Sequence, residues 1–469
     1  MKIDLENRKR ILSIVALAFF NFVFLGAEYM FDNMMTYVTD SEGVVLAESY
    51  ILGASCIGFF LYPVLDKIIS GSSKYIMAFA SALAGIICIF TICRHSSYMS
   101  VLLPGCLLFA VLGILGGEIH YIFSVVISER KHLAGNIGIA YALGIFMQFI
   151  NNNLVFSELG ESVFIAVTLA VFVVLIMKLE DYIPRENENV LYINGMGNMK
   201  SPLIAGVALT LAVVLMSCIF STLNISVTLV HAGGSVDIGQ WPRLILALSG
   251  LMAGFIYDIC ERKYMNITMY CVTLLSTICV VVTELGGPFL VGLILFCISA
   301  GFFVVFFSAA FIELSGNTKV PKLFAGLGRA TNNLCAILTG ALSVALLKNS
   351  GMVIIITALC LFVLISIVLY IYSNQFERKI DTDEEDKVTY EADEEEKFQA
   401  FCEQFSLTPR ESEVLKTLLI SDENVQDIAV KISMSRAVLY RHITNLNNKT
   451  DTKSRIGLIQ FYYNWRKNT

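Results

Sequence analysis

The chain has 469 residues, 56% of them hydrophobic and only 15% charged, with a mean hydropathy of +0.70. Soluble domains carry about 25% charged residues, so an ordinary soluble enzyme is excluded. The net charge of −6 is unevenly placed: residues 1–380 hold 21 basic and 22 acidic residues, 381–401 hold 2 and 10, and 402–469 hold 10 and 7.

A helix needs about 20 apolar residues to cross the hydrocarbon core. Twelve runs qualify in chain order: 11–31, 46–65, 75–93, 100–127, 133–153, 162–178, 202–222, 240–258, 265–283, 288–312, 322–347 and 351–373. The first is too long for a cleaved leader, has no small-residue cleavage site and is followed by eleven more. Cytoplasmic loops are rich in Lys and Arg. With the N-terminus inside, sixteen such residues near the helix ends fall on the cytoplasmic side, among them Arg8, Lys67, Lys74, Arg130, Arg262, Lys263 and Lys322. Only Arg94, Arg243 and Lys348 fall outside. The expectation is a multi-pass plasma-membrane protein with both termini in the cytoplasm.

The runs repeat. Asp66 follows the second and Asp258 the eighth, 192 residues apart, while Ala134-Gly135 and Ala325-Gly326 open the fifth and eleventh. Two parallel six-helix halves, about 1–180 and 201–374, are one large transporter architecture. Residues 1–374 resemble the major facilitator superfamily, whose signature G-x-x-x-D-R-x-G-R-R/K recurs after the second and eighth helices. The second copy keeps Gly254, Asp258, Arg262 and Lys263; the first keeps Asp66-Lys67 but has Tyr62 for its first glycine and only Lys74 at its basic end. In the resembled family this motif helps gate alternating access, so the worn copy predicts weakened transport.

Polar groups inside a membrane usually face a cavity or a partner. Glu118 and His120 lie in the fourth run, Gln148 late in the fifth, Trp241 at the opening of the eighth, and Arg329, Asn332 and Asn333 in the eleventh. Glu28 lies near the outer end of the first. The resemblance implies that the first, fourth, seventh and tenth helices line a central cavity, which singles out Glu28 and Glu118. These eight residues are the candidate ligand site, with Arg329 or Glu118 reading a polar group and Trp241 offering a stacking face. The competing reading makes Glu118 and Arg329 neutralise each other and the amides bond between helices. Asp32 and Glu48, with Glu28, sit near the external face, where solvation accounts for them; His231 and Asp237 read as loop. The twelve cysteines include no C-x-x-C and read as small buried hydrophobes. No metal, cofactor or catalytic pattern occurs.

Residues 375–401 read as an acidic linker that repels itself and extends. In 402–469, Thr408-Pro409-Arg410-Glu411 is a capping box that starts a helix. Val425, Ile428, Ala429 and Ile432 mark a second helix, Ser433-Met434-Ser435 a turn with Ser435 capping a third, and Ser454 precedes a fourth. Two short helices about a tight turn form a helix-turn-helix. Leu407-Thr408-Pro409-Arg410-Glu411, Glu413-Val414-Leu415, Ile428-Ala429, Met434-Ser435, His442, Asn445, Lys449 and Ser454-Arg455 resemble the LuxR-type helix-turn-helix. The resemblance implies that Arg436, Tyr440, Arg441 and Asn445 meet base edges and that Lys449, Lys453 and Arg455 meet phosphates. Its departures include Ala437 for a glycine and Tyr440 for a lysine. A tail of net +3 binds DNA weakly alone, so a homodimer on paired half-sites is expected.

The expected fold is thus all-α: a twelve-helix, major-facilitator-like bundle of two six-helix halves plus a cytoplasmic four-helix LuxR-type domain. The combination resembles the LuxR-type membrane regulators of gut actinobacteria, which implies a bacterial one-component transcription regulator that senses a small molecule and binds promoter DNA. The alternative is a transporter with an autoregulatory DNA-binding tail.

Overall fold

The structure, a computed structural model, describes residues 2–69, 71–127, 132–155, 157–180, 182, 202–234, 236–347, 351–420, 426, 428–429 and 434–465. They form α1 (Lys2–Thr36), α2 (Ser41–Ile68), α3 (Ser72–Cys93), α4 (Tyr98–Val126), α5 (Leu133–Leu154), α6 (Glu158–Glu180), α7 (Pro202–Ala232), α8 (Trp241–Asp258), α9 (Met265–Glu284), α10 (Phe289–Ser315), α11 (Pro321–Leu347), α12 (Gly351–Gln404), α13 (Pro409–Ile420), α14 (Arg436–Thr450) and α15 (Arg455–Asn464). The chain divides into two compact units, Met1–Glu377 and Arg378–Thr469.

Two helices of the first unit begin where short polar side chains take up their free N–H groups. Asp40 accepts from Gly43 N ahead of α2, and Ser97 and Ser100 form a reciprocal cap ahead of α4. Ten of the described helices are long and apolar enough to cross a membrane, where sequence gave twelve runs. The two that fall short, α8 and α11, carry Arg243 and Asp258, and Lys322, Arg329, Asn332 and Asn333. These polar side chains lower the apolar content of both helices, and Arg243, Arg329, Asn332 and Asn333 turn to the interior of the bundle. Elsewhere, Ile57, Phe79, Leu103, Leu211, Phe255 and Val363 are exposed, an apolar outer face suited to lipid.

Without a hydrophobic drive between helices in lipid, close packing rests on small residues. Gly58 on α2 faces the backbone of Ala110 and Gly113 on α4, with no space for a Cβ. Gly254 on α8 meets Gly138 and the Ala134 carbonyl on α5 in the same way. These crossings bring α2 onto α4 and α8 onto α5.

The internal repeat has a structural counterpart. Asp258, at the end of α8, accepts from the backbone N–H groups of Ala134 and Gly135 at 3.1 and 2.6 Å, capping α5 of the other half. Asp66, near the end of α2, accepts at 2.6 Å from Lys322 at the start of α11. Lys74 also donates to Asp66 at 2.6 Å and to Glu180 at 2.5 Å. The worn first copy of the motif therefore still joins the two halves, with Lys322 adding a cation from the other half beside its own Lys74.

The acidic residues 381–401, expected to extend, lie within α12. In the second unit, Phe401, Val414, Leu415, Leu418, Ile428, Leu439, Ile443, Leu446, Leu458 and Tyr462 form a core of their own. Gln426, Ile428 and Ala429 are helical, whereas Val425, Ile432 and Ser433 lie outside the described residues. Met434 N donates to Ala429 O at 2.9 Å, and Ser435 accepts from Val438 N to start α14.

Candidate functional site

A cavity of about 190 Å³ lies between the halves of the first unit. Its walls come from α1 (Phe24, Glu28, Asp32), α2 (Glu48, Leu52), α5 (Tyr141), α7 (Ser217, Phe220, Ser221, Asn224, Thr228), α8 (Arg243, Leu246), α10 (Phe296, Phe303) and α11 (Arg329, Asn332, Asn333). The lining is mostly apolar, yet it gathers three carboxyl and two guanidinium groups.

On α1, Phe24, Glu28 and Asp32 recur every four residues and so share one face. Arg329 is 5% exposed and seats its guanidinium 4.8 Å from the Phe24 ring centroid. Arg243 lies 5.9 Å from the Tyr29 ring. Glu28 faces both arginines. Across from it, Glu48 accepts from Asn224 of the other half at 3.2 Å. Asn333 donates to Ser55 at 2.8 Å, and Ser217 donates to Asn332 at 3.1 Å. These bonds occupy the amides and leave the charged groups short. Arg329 Nε and Nη2, Arg243 Nε and Asp32 Oδ1 are buried without a hydrogen-bond partner. Such atoms are costly when buried, and four of them converge on this one cavity.

Bonds between the halves bridge both ends of this cavity. At the end assigned to the cytoplasm stands the Asp66–Lys322 pair. At the other, Tyr29 donates to Asp237 Oδ1 at 2.8 Å, His231 Nε2 meets Asn33 Oδ1 at 3.0 Å, and the His231 ring stacks on Tyr29 at 5.3 Å. Asn153 donates to Gly239 O at 3.2 Å beside them. His231 and Asp237, read from sequence as loop, are part of this bridge.

Of the eight residues expected to bind ligand, Glu28, Arg329, Asn332 and Asn333 line the cavity; Glu118, His120, Gln148 and Trp241 do not. Among the described residues α4 contributes nothing to the wall, against the expectation that the fourth helix would line it. The reason is its glycine face: Gly113 and Gly116 let α2 and Phe20 of α1 close over it. Glu118 instead faces Asp66, Lys74 and Glu180, so it does not neutralise Arg329. The His120 ring lies between Phe20 and Phe59 with Nδ1 2.7 Å from Gly116 O, a packing position. Gln148 donates to Leu25 O at 2.8 Å, tying α5 to α1. Trp241 is exposed at the start of α8. Sequence placed Asp32 and Glu48 in solvent, but each is 5% exposed. A signal existed: Asp32 lies four residues after Glu28, on its face of α1.

In the second unit, Arg436, Tyr440, Arg441 and Asn445 are exposed on α14, with the Arg436 guanidinium 5.6 Å from the Tyr440 ring. Lys453 is exposed and Arg455 half-buried. Lys449 differs: its Nζ donates to Glu411 Oε2 and to Ser406 O, each at 2.7 Å. It pins α14 to the start of α13, whose capping box has Thr408 N donating to Glu411 at 2.9 Å. Burial works to raise the Glu411 pKa, but Lys449 and Thr408 outweigh it and hold it at about 2, against 4.5 when unfolded. A carboxylate depressed in this way stabilises above its unfolded value, and the gain is lost as pH falls from about 4.5 toward 2. We expect Glu411→Ala to cost about 1–2 kcal/mol, read as faster hydrogen exchange of α13 amides in the full chain at pH 7. As pH falls to about 2 the variant and parent should converge.

Two helical halves about a charged cavity define a multi-pass membrane protein of transporter-like fold, and comparison with known proteins agrees. A family profile described as the Major Facilitator Superfamily matches residues 201–434. The human organic anion transporter MFSD10 (TETRAN) is a similar solved structure, at 14% identity and a TM-score of 0.56, covering 78% of this chain and 99% of that chain. The nucleoside transporter NupG is also similar, at 17% identity and a TM-score of 0.48, again covering 78% and 99%. No curated protein sequence matches. The membrane unit is major-facilitator-like.

Proposed function

We propose that the membrane unit binds a small polar solute in its central cavity and carries it across the membrane by alternating access. The observation that carries this reading is Arg329, buried between the halves with two unpartnered nitrogens and facing the equally unpartnered Asp32 side of the cavity. The likeness to a transporter fold and the bonds bridging both ends of the cavity support it, since alternate breaking of those bridges is what such a cycle requires. Arg329→Gln should reduce saturable uptake into proteoliposomes at least tenfold while leaving the amount of folded protein unchanged. Uptake should survive removal of residues 381–469.

A second reading keeps the cavity as a sensor. In it, ligand shifts the balance between two conformations and the C-terminal unit binds promoter DNA, as a dimer on paired half-sites. One observation favours it: a separately cored helical unit presents Arg436, Tyr440, Arg441 and Asn445 outward from one Ser-capped helix. Solute binding with no uptake, together with DNA retention by the full chain that weakens as salt rises, would favour this reading over transport. In both, the protein sits in the plasma membrane with its termini in the cytoplasm.

A further inference from the structure

Two of the carboxyl groups in the cavity wall meet each other. Glu28 on α1 and Glu48 on α2 are joined by a hydrogen bond between their side chains. A carboxylate only accepts, and a carboxyl group donates only when it carries a proton. Such a bond therefore needs one proton between the two groups. Glu48 is 5% exposed, and its other contacts, Asn224 Nδ2 at 3.2 Å and Thr228, come from α7 of the other half. Two negative charges in contact away from bulk water repel strongly, whereas a shared proton removes one of them.

Cations of the other half oppose that proton. Arg329 and Arg243 both face Glu28, and Arg243 also faces Asp32, the third carboxyl group, which stands beside Glu28 and Glu48. The Tyr141 hydroxyl on α5 faces Glu28 as well. Three carboxyl groups thus stand against two guanidinium groups, and one proton on the pair leaves two charges of each sign. Arg329 is not spent on Glu28: its side chain is 5% exposed, yet Nε and Nη2 have no hydrogen-bond partner. Glu28, Asp32 and Glu48 belong to the first half and both arginines to the second. A movement of one half against the other therefore changes the positive field at the pair, and with it the hold on the proton.

We propose that Glu28 and Glu48 form a proton-binding site that holds one proton between them, and that movement of Arg243 and Arg329 with the second half loads and empties it. In a carrier the site supplies a coupling ion, and in a sensor an input from pH. It does not depend on which solute enters the cavity, so failure to find solute binding or uptake leaves it standing.

The test is infrared spectroscopy of the full chain in lipid nanodiscs, in water and in heavy water, where a protonated carboxyl group and a carboxylate absorb at separate positions. At pH 7 an ordinary glutamate, with a pKa of about 4.3, is ionised. Against the parent, the double variant Glu28→Gln/Glu48→Gln should lose one acid carbonyl band that shifts in heavy water, together with one carboxylate. Glu28→Gln and Glu48→Gln should each remove or displace that acid band, because whichever group holds the proton loses the partner it points to. As pH is raised the band should disappear, and in Arg329→Gln it should persist about one pH unit higher or more. Arg329→Lys, which keeps the charge, should follow the parent, and elution profiles check that each variant is folded. Loss of two carboxylates or of two acid groups in the double variant overturns the shared proton, as does a band that either single change leaves untouched. The same pH dependence in the parent and in Arg329→Gln overturns the loading by the second half.

Discussion

Glu313→Gln should lower the stability of the membrane unit by about 3–5 kcal/mol, the usual cost of removing one partner from a buried ion pair. Arg262 Nε and Nη2 donate to the two Glu313 oxygens at 3.1 and 3.0 Å, and both side chains are less than a tenth exposed. Arg262 also lies 3.6 Å from Asp258, the residue that caps α5. The pair thus holds the loop after α8 onto the end of α10 and steadies the aspartate that joins the halves. Its backbone adds a constraint: Arg262 has φ of 70°, a left-handed conformation that a non-glycine residue adopts only when its surroundings enforce it. With glutamine at 313 the guanidinium keeps its charge in a buried place without its main counterion. The check is the midpoint of heat-induced loss of monodisperse protein in detergent, which should fall by several degrees. The double change Arg262→Met with Glu313→Leu should recover most of the loss, because a well-packed apolar pair can replace a buried ionic one. An unchanged midpoint in the single variant would remove the pair from the supports of the fold.

Asp66→Asn should open the cavity toward the end assigned to the cytoplasm. The Asp66 carboxylate accepts from Lys74 and Lys322 at 2.6 Å each, and only the second bond crosses between the halves. Charge-assisted bonds contribute about 1.5–3 kcal/mol each at best, and less where the partners are partly wet. Losing about 2 kcal/mol from the bridged state shifts its balance with an open state roughly 30-fold. A cysteine at Ser217, in a background without other reactive thiols, should then react at least tenfold faster with a water-soluble thiol reagent added from that side. Lys322→Gln should act in the same direction to a similar extent, since it removes the same crossing bond and the Asp66–Lys74 bond lies within one half. Equal labelling rates would show that the bridge does not set the conformation.

How much of this could be read from residues alone differs by element. The capping box at Thr408 and Glu411 was legible because a cap is local: donor and acceptor lie three residues apart on one chain. The pairing of Asp66 and Asp258 as repeat equivalents was legible from spacing, although their partners were not. Asp66 borrows Lys322 from the other half, 256 residues away, and no local pattern reports that. The cavity wall was half legible. Arg329, Asn332 and Asn333 stood out as polar groups in an apolar run, whereas Asp32 and Glu48 were discounted because they lie near helix ends. Lys449 looked like one more exposed cation until α13 was folded against it.

The sequence by itself determined that the chain is a multi-pass membrane protein of long apolar helices and that its last residues differ in composition from the rest. Hydropathy fixes these because the transfer of a long apolar run into lipid depends on composition and length, whatever the neighbours. Only the tertiary structure decided which face of each helix looks inward. In a bilayer, lipid and a neighbouring helix are equally apolar, so the periodicity that orients a helix in water carries little information here. Close glycine contacts packed α4 against α1 and α2, away from the cavity that α1, α2, α5, α7, α8, α10 and α11 line. That packing left Arg329 Nε and Nη2 and Asp32 Oδ1 in one cavity without hydrogen-bond partners.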